Sequence, residues 1–148
     1  MVWFDSLILQ PKSLTSTYTS VNLCDMNFRF TKAERLTKNK EFEKVFNEGE
    51  VFKGTKIIFY VIANEYQYSR LGLVVSKKVG NAVQRNRIKR LLRESYRLNK
   101  HLLTTNVDII ALPRRTFTSN LKLSDIENEF RKLLKQINET FTNEVYHH

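Results

Sequence analysis

The strongest chemical signal in the sequence is a run of cations, Lys77–Arg93, which reads KKVGNAVQRNRIKRLLR. Seven of its seventeen residues are Lys or Arg, and none is acidic. Over the wider range Arg70–Lys100, ten cations stand against one acid, Glu94, so this range carries +9 of the net charge of +10. Cations at this density attract polyanions, above all the phosphates of a nucleic acid. The chemistry indicated is electrostatic binding of phosphate groups.

A helix is the element that must position these cations. A turn signal at residues 80–81, with no later Gly or Pro until Pro113, predicts a helix from about Ala82 to about Asn99. Like charges one turn apart repel each other by a few tenths of a kcal/mol, so an unrelieved row of cations indicates a polyanionic partner. An ordinary solvated basic helix is the alternative. At about 100° per residue, one face of this helix is an apolar arc formed by Ile88, Leu91 and Leu92. Another face is a basic ladder formed by Arg85, Lys89, Arg93 and Arg97.

The sequence offers no catalytic site of its own. A metal-independent nuclease needs paired acid and base groups, usually histidines, but His101 stands apart from the terminal pair at 147–148. A metal-dependent nuclease needs clustered carboxylates, whereas Asp108 is alone in a predicted strand. The acids of 125–129 suit the positive end of a helix dipole. We therefore expect no catalytic residue and no metal ligand in this chain.

Length and composition bound the class of protein. A chain of 148 residues with 41% hydrophobic content fits one globular domain. Its single cysteine, Cys24, excludes an internal disulfide, and no apolar run approaches the ~20 residues of a membrane span. We expect a cytoplasmic protein. Residues 1–26 lack a helical period and are expected to form a poorly ordered extension, followed by a domain at 27–141 and a tail at 142–148.

The remaining patterns predict an α+β fold, with a small, mainly antiparallel sheet packed with helices in the order α-β-β-β-α-β-α. We expect the second and third strands to form an antiparallel pair, and Ser124 and Glu127 to form a capping box that opens the last helix. Asn39 is the expected N-cap of the first helix, and Gly49 the residue that ends it. The predicted segments are a helix within 35–49, strands at Val51–Lys53, Thr55–Ala63, Leu71–Ser76 and Val107–Leu112, and a helix from Ser124.

Three ordered segments resemble the bacterial ribonuclease P protein subunit, the small basic partner of a catalytic RNA that removes the 5′ leader of precursor tRNA. They are Arg35–Gly49 (RLTKNKEFEKVFNEG), Gly72–Asn81 (GLVVSKKVGN) and Ala82–Arg93 (AVQRNRIKRLLR). The resemblance covers about residues 29–137 without a large gap. It implies a ribosomal protein S5 domain 2-like fold with a left-handed crossover around the basic helix, an exception to the usual right-handed rule.

The resemblance also implies two binding surfaces. On the first surface, aromatic residues would line a cleft for the single-stranded leader. Core packing of Phe42 and Phe46 is the competing interpretation. Leader binding is expected of Phe42, Phe46, Tyr60, Lys77 and Arg85. Binding of the RNA subunit is expected of Lys77, Lys78, Asn81, Arg85, Asn86, Arg87, Lys89, Arg90 and Arg93.

The implied cofactors are the catalytic RNA subunit and Mg²⁺ held mainly by that RNA. The implied partners are ribonuclease P RNA and precursor tRNA, with one protein per RNA and no membrane. Three other classes compete with this interpretation. A ribosomal type of RNA-binding module shares the charge but leaves the aromatic set unexplained. A DNA-binding protein would read bases with fewer side chains in a major groove. A stand-alone nuclease lacks its cluster of carboxylates or histidines.

Overall fold

The computed structural model describes residues 29–118 and 120–146, with side chains described as far as residue 143. The order of helices and strands in this part of the chain is α-β-β-β-α-β-α, as predicted. Short 3₁₀ turns at Lys32–Glu34, Lys77–Val79 and Lys100–Leu102 separate some of them. The elements are α1 (Asn39–Glu48), β1 (Glu50–Lys53), β2 (Ile57–Ala63), β3 (Arg70–Leu73), α2 (Ala82–Asn99), β4 (Val107–Pro113) and α3 (Leu123–Tyr146). The predictions for residues 1–26 lie outside the described residues.

The four strands form one mixed sheet in the order β1-β2-β4-β3. β2 pairs with β1 and β4 antiparallel, whereas β3 pairs with β4 parallel. The predicted antiparallel pairing of the second and third strands is therefore wrong, because β4 lies between them. β3 and β4 are parallel neighbours, and such neighbours need a long crossover, which α2 supplies. The left-handed sense of that crossover stays a prediction.

One face of the sheet packs against α2 and α3 and forms the main core. β2 alternates regularly, so Ile57, Phe59 and Val61 are fully buried on this face. The ring of Phe59 meets that of Phe130 on α3 edge to face, with centroids 4.9 Å apart. The apolar arc predicted for α2 is confirmed, since Ile88 and Leu92 are buried and Leu91 packs against the core. Other large contributors include Leu71, Tyr96, Ile109, Phe117, Ile126, Leu133 and Ile137.

The opposite face of the sheet carries α1. Val45 of α1 and Ile110 of β4 form the centre of a smaller cluster there, and both are buried. Tyr60 and Ile62 of β2 are only half-buried beside them. One face of β2 is therefore buried in the main core, and α1 covers only part of the other face.

The ends of the helices correct two predictions. α3 begins at Leu123, and the N–H of Lys122 donates to Oδ2 of Asp125 at 3.2 Å, so the capping box expected at Ser124 and Glu127 does not form. α1 includes Asn39, and its N-cap is Lys38. No helix in the described part of the chain has an apolar stretch long enough to cross a membrane.

Candidate nucleic-acid interface

Reciprocal hydrogen bonds fix the start of the basic helix. The Asn81 side chain accepts from the N–H of Gln84 at 2.9 Å, and the Gln84 side chain accepts from the N–H of Asn81 at 2.9 Å. This capping box satisfies backbone donors that would otherwise lack partners at the helix end. The helix spans Ala82–Asn99, the predicted bounds. Asn81 thus has a structural role in addition to the predicted RNA contact.

The residues predicted to bind the RNA subunit form two groups, and Arg87 lies apart from both. Four predicted RNA-binding residues line one groove with a volume of about 490 Å³: Asn86, Lys89, Arg90 and Arg93. The other wall of the groove contains Phe30 and Arg35, which precede α1 in the chain. The second group lies at or near the start of the helix, where Lys77, Lys78 and Asn81 are exposed and Arg85 is half-buried. Arg87 is exposed and is not part of the groove lining.

The repulsion between the cations of the basic ladder is partly relieved at the C-terminal end of the helix. Glu94 accepts hydrogen bonds from Nη2 of Arg97 and from Nε of the same residue, the latter at 3.2 Å. These bonds raise the pKa of Arg97 and lower that of Glu94. The one acid that lines the groove, Glu94, is therefore already paired, whereas Arg35, Arg90 and Arg93 are exposed. Such a surface is suited to phosphate groups.

The aromatic residues on the α1 face lie in two adjoining positions. Phe46 is 37% exposed, and its ring meets that of Tyr60 edge to face, with centroids 4.7 Å apart at 68°. Phe42 is half-buried and packs over Gly72 of β3, where an added Cβ would lie 2.7 Å from the Phe42 ring. A side chain at position 72 would displace the Phe42 ring, because the ring approaches the strand so closely. These rings pack against the domain and are also partly exposed, so part of each ring surface is available to a ligand.

A buried ion network that sequence reasoning missed holds α1 on the sheet. Arg70 donates to Asp108 through Nε at 2.9 Å and Nη2 at 2.6 Å, and to Glu41 of α1 through Nη1 at 3.0 Å. The Arg70 guanidinium also lies over the ring of Tyr66, 4.4 Å from its centroid. Its pKa is raised, chiefly because Asp108 accepts these bonds. Asp108 is a structural partner rather than an isolated carboxylate, and α1 is positioned through Glu41.

The family of the chain follows from comparison with known proteins. The family model described as Ribonuclease P matches residues 30–138. The chain belongs to the ribonuclease P protein family. Among similar proteins, the ribonuclease P protein component of Alkaliphilus oremlandii is 41% identical over 104 residues, which cover 70% of this chain and 90% of that protein. The component from Fusobacterium nucleatum is 42% identical over 103 residues, or 68% of this chain and 93% of the relative.

Solved structures agree with this family at the level of the fold. The RNase P protein of Staphylococcus aureus is 34% identical and aligns with a TM-score of 0.64, covering 72% of this chain and 96% of that one. The RNase P protein from Thermotoga maritima is 33% identical with a TM-score of 0.64, covering 70% and 96%. The RNA subunit of ribonuclease P is accordingly a partner of this family member.

Sequence reasoning also missed two features beside the predicted residues. Arg35 and Phe30 share the basic groove, and Tyr66 and Tyr68 form an exposed pair with centroids 5.5 Å apart. The signal for the Arg70 network was present in the sequence, because a carboxyl group in an apolar strand requires a hydrogen-bonding partner. Among the side chains of residues 29–118 and 120–143, no three His, Cys, Asp or Glu residues cluster as metal ligands would.

Proposed function

We propose that this chain is the protein subunit of ribonuclease P that binds both the RNA subunit and the 5′ leader of precursor tRNA. In this role it assists removal of the leader and formation of the mature 5′ end of tRNA. The observation that carries the proposal is one domain with two distinct surfaces: a basic groove along α2 and a half-exposed aromatic set on the α1 face. The family match over residues 30–138 contains both surfaces.

The basic groove is proposed as the contact with the RNA subunit. Asn86, Lys89, Arg90 and Arg93 line it together, so a phosphate backbone lying along α2 would meet them in succession. The remaining residues proposed for this contact extend it around the start of the helix: Lys77, Lys78, Asn81, Arg85 and Arg87. Each phosphate neutralised by such a cation releases counterions, so binding should weaken as salt concentration rises.

The aromatic surface is proposed as the leader site. Single-stranded RNA is held by bases stacked on aromatic rings beside a basic track, and each stacked base contributes ~1–3 kcal/mol. Phe42, Phe46 and Tyr60 would supply the rings. Lys77, four residues after the end of β3, and Arg85, in the first turn of α2, would supply the cations.

The catalytic groups are proposed to lie in the RNA subunit. Mg²⁺ held by that RNA would supply the metal-ion chemistry of phosphodiester hydrolysis, which leaves a 5′-phosphate on the tRNA and a 3′-hydroxyl on the leader. The protein would act electrostatically. The segment Arg70–Lys100, which has a net charge of +9, would screen the repulsion between the RNA subunit and the precursor tRNA. This screening would raise substrate affinity and lower the Mg²⁺ concentration needed.

The assembly and the domain organisation of this chain follow from the same proposal. One protein per RNA subunit, acting as a monomer in the cytoplasm, is the simplest assembly with one basic groove and one leader site. Residues 27–141 would form the binding domain, with 1–26 as an extension and 142–148 as a tail.

The experiment that tests the function combines purified protein, RNA subunit and a precursor tRNA with a labelled 5′ leader. Reactions at limiting Mg²⁺ contain the protein alone, the RNA alone, or both. We expect cleavage at the mature 5′ end to be fast only with both and absent with the protein alone. Cleavage by the protein alone would overturn the proposal. Tight binding to ribosomal RNA fragments without stimulation of cleavage would favour the ribosomal type of module instead.

A further inference from the structure

The segment that precedes α1, residues 29–38, is held against α2 and the turn that follows it by buried contacts at two points. The Phe30 ring packs edge to face on Tyr96, with centroids 5.4 Å apart at 69°, and Tyr96 is fully buried. Glu34 pairs with Lys100 at 2.6 Å, and both side chains are about nine-tenths buried. These contacts fix the position of the segment beside the basic helix, and with it the positions from which its exposed side chains extend.

Arg35 is the exposed cation of this segment that lines the groove. Its Cζ lies 5.1 Å from the centroid of the Phe30 ring, so the guanidinium rests over an aromatic ring that is itself anchored on the core. Within the described part of the chain, the Arg35 side chain makes no hydrogen bond or ion pair. Its backbone is fixed by a bridge to Leu71 of β3. The side chain thus presents a planar cation whose donors are available to a ligand.

The groove between Arg35 and α2 has a volume of about 490 Å³ and is lined mainly by cations. Arg90 and Arg93 line the side formed by α2, and the one acid, Glu94, is engaged by Arg97. Two ligand features are matched at once: a phosphate by the cations of α2, and a flat π system by the guanidinium of Arg35.

We propose that this groove is a nucleotide subsite, in which one unpaired base of the RNA subunit stacks on the Arg35 guanidinium while its phosphate binds Arg90 and Arg93. Phe30 is a positioning residue that holds the guanidinium plane from below. This inference rests on the proposed function for the identity of the RNA. It adds that the contact includes a discrete unpaired nucleotide, in addition to a continuous phosphate track along the helix.

The test compares the wild type with Arg35→Lys, which keeps the charge and removes the planar stacking group. Affinity for the RNA subunit is measured over a range of salt concentrations, and thermal unfolding shows that each variant is folded. We expect Arg35→Lys to bind roughly tenfold more weakly with an unchanged salt slope. Arg115→Lys, a matched change at an exposed arginine outside the groove, should bind as the wild type does.

A footprint then identifies the base. Chemical probing of the RNA subunit should show one unpaired nucleotide protected by the wild type and not by Arg35→Lys. An abasic residue at that nucleotide should weaken wild-type binding about tenfold and leave binding of Arg35→Lys unchanged. Equal affinity of the two proteins for the intact RNA, a reduced salt slope for the variant, or an abasic RNA bound normally by the wild type would each overturn the inference. Failure of the wild type to bind the RNA subunit would instead overturn the proposed function.

Discussion

The proposed leader site leads to a quantitative prediction for Phe46. Phe46→Ala removes a ring that is 37% exposed and in edge-to-face contact with Tyr60. Truncating a fully buried Phe costs about 3–5 kcal/mol, and since this ring is partly exposed we expect a loss of roughly 2–3 kcal/mol in the free energy of unfolding. If the exposed part of the ring stacks on one leader base, the variant should also lose ~1–3 kcal/mol of leader binding, or about 5- to 150-fold in affinity.

Val45→Ala is the matched control on the same helix. Val45 is the adjacent residue, is only 1% exposed, and points into the cluster around Ile110. Removing its two methyl groups should cost about 2 kcal/mol, similar to the loss at Phe46, without removing any ring of the proposed leader surface. Both variants therefore weaken the attachment of α1 to the sheet by a comparable amount, and only Phe46→Ala removes a stacking group.

The assay measures the affinity of the holoenzyme for precursor tRNA with its leader and for mature tRNA, well below the unfolding midpoint of each variant. Phe46→Ala and Tyr60→Ala should weaken binding of the precursor and barely change binding of mature tRNA. Val45→Ala should leave the ratio of the two affinities at the wild-type value. Equal losses for both tRNAs with Phe46→Ala would refute the reasoning and assign the ring to core packing alone.

Four further predictions concern the rest of the domain. Arg90→Ala should weaken binding of the RNA subunit and reduce the salt slope by about one, because one fewer phosphate is neutralised; an unchanged slope would contradict the assignment. Arg70→Met leaves two carboxylates without their partner, so chemical denaturation should show a loss of about 3–5 kcal/mol, recovered in part when the Asp108 carboxylate is also replaced by an apolar side chain. Burial raises the pKa of Glu34, but hydrogen bonds from Lys100 and Thr31 outweigh it and lower the pKa overall. The stability advantage over Glu34→Gln should therefore be complete above about pH 4.5 and shrink as pH falls through the lowered folded-state pKa; a constant difference would contradict this. A chain beginning at Met26 should unfold at the same temperature as the full chain and support cleavage, and a lower midpoint would place the preceding residues in the domain.

Local features of the sequence determined the main functional helix. The bounds of α2 were predictable because a turn, an N-cap and an uninterrupted helical period all lie within about twenty residues. The two apolar faces of β2 were predictable for the same reason, since alternation along a strand is a local property. The concentration of charge in Arg70–Lys100 is visible in the sequence itself and identifies the class of partner.

Helix ends were less well determined by sequence. Ser124 with Glu127 and Lys122 with Asp125 offer alternative starts for α3, and they differ by only one or two residues. Their energies differ by little, because each cap contributes on the order of 1 kcal/mol. Packing of the apolar face on the sheet can therefore decide between such starts.

Pairings between distant residues were decided by the tertiary structure alone. β3 is parallel to β4 and not antiparallel to β2, although β2 and β3 are consecutive in the chain. Strand partners are chosen by burial of both faces of the whole sheet, and no local pattern records that choice. The Arg70 network joins residues 29 and 38 positions apart, and the groove places Arg35 opposite Arg90. The sequence determined which residue types are available and where the basic helix lies. The tertiary structure decided which of them meet, because a contact forms only where folding brings distant segments to within a few ångströms.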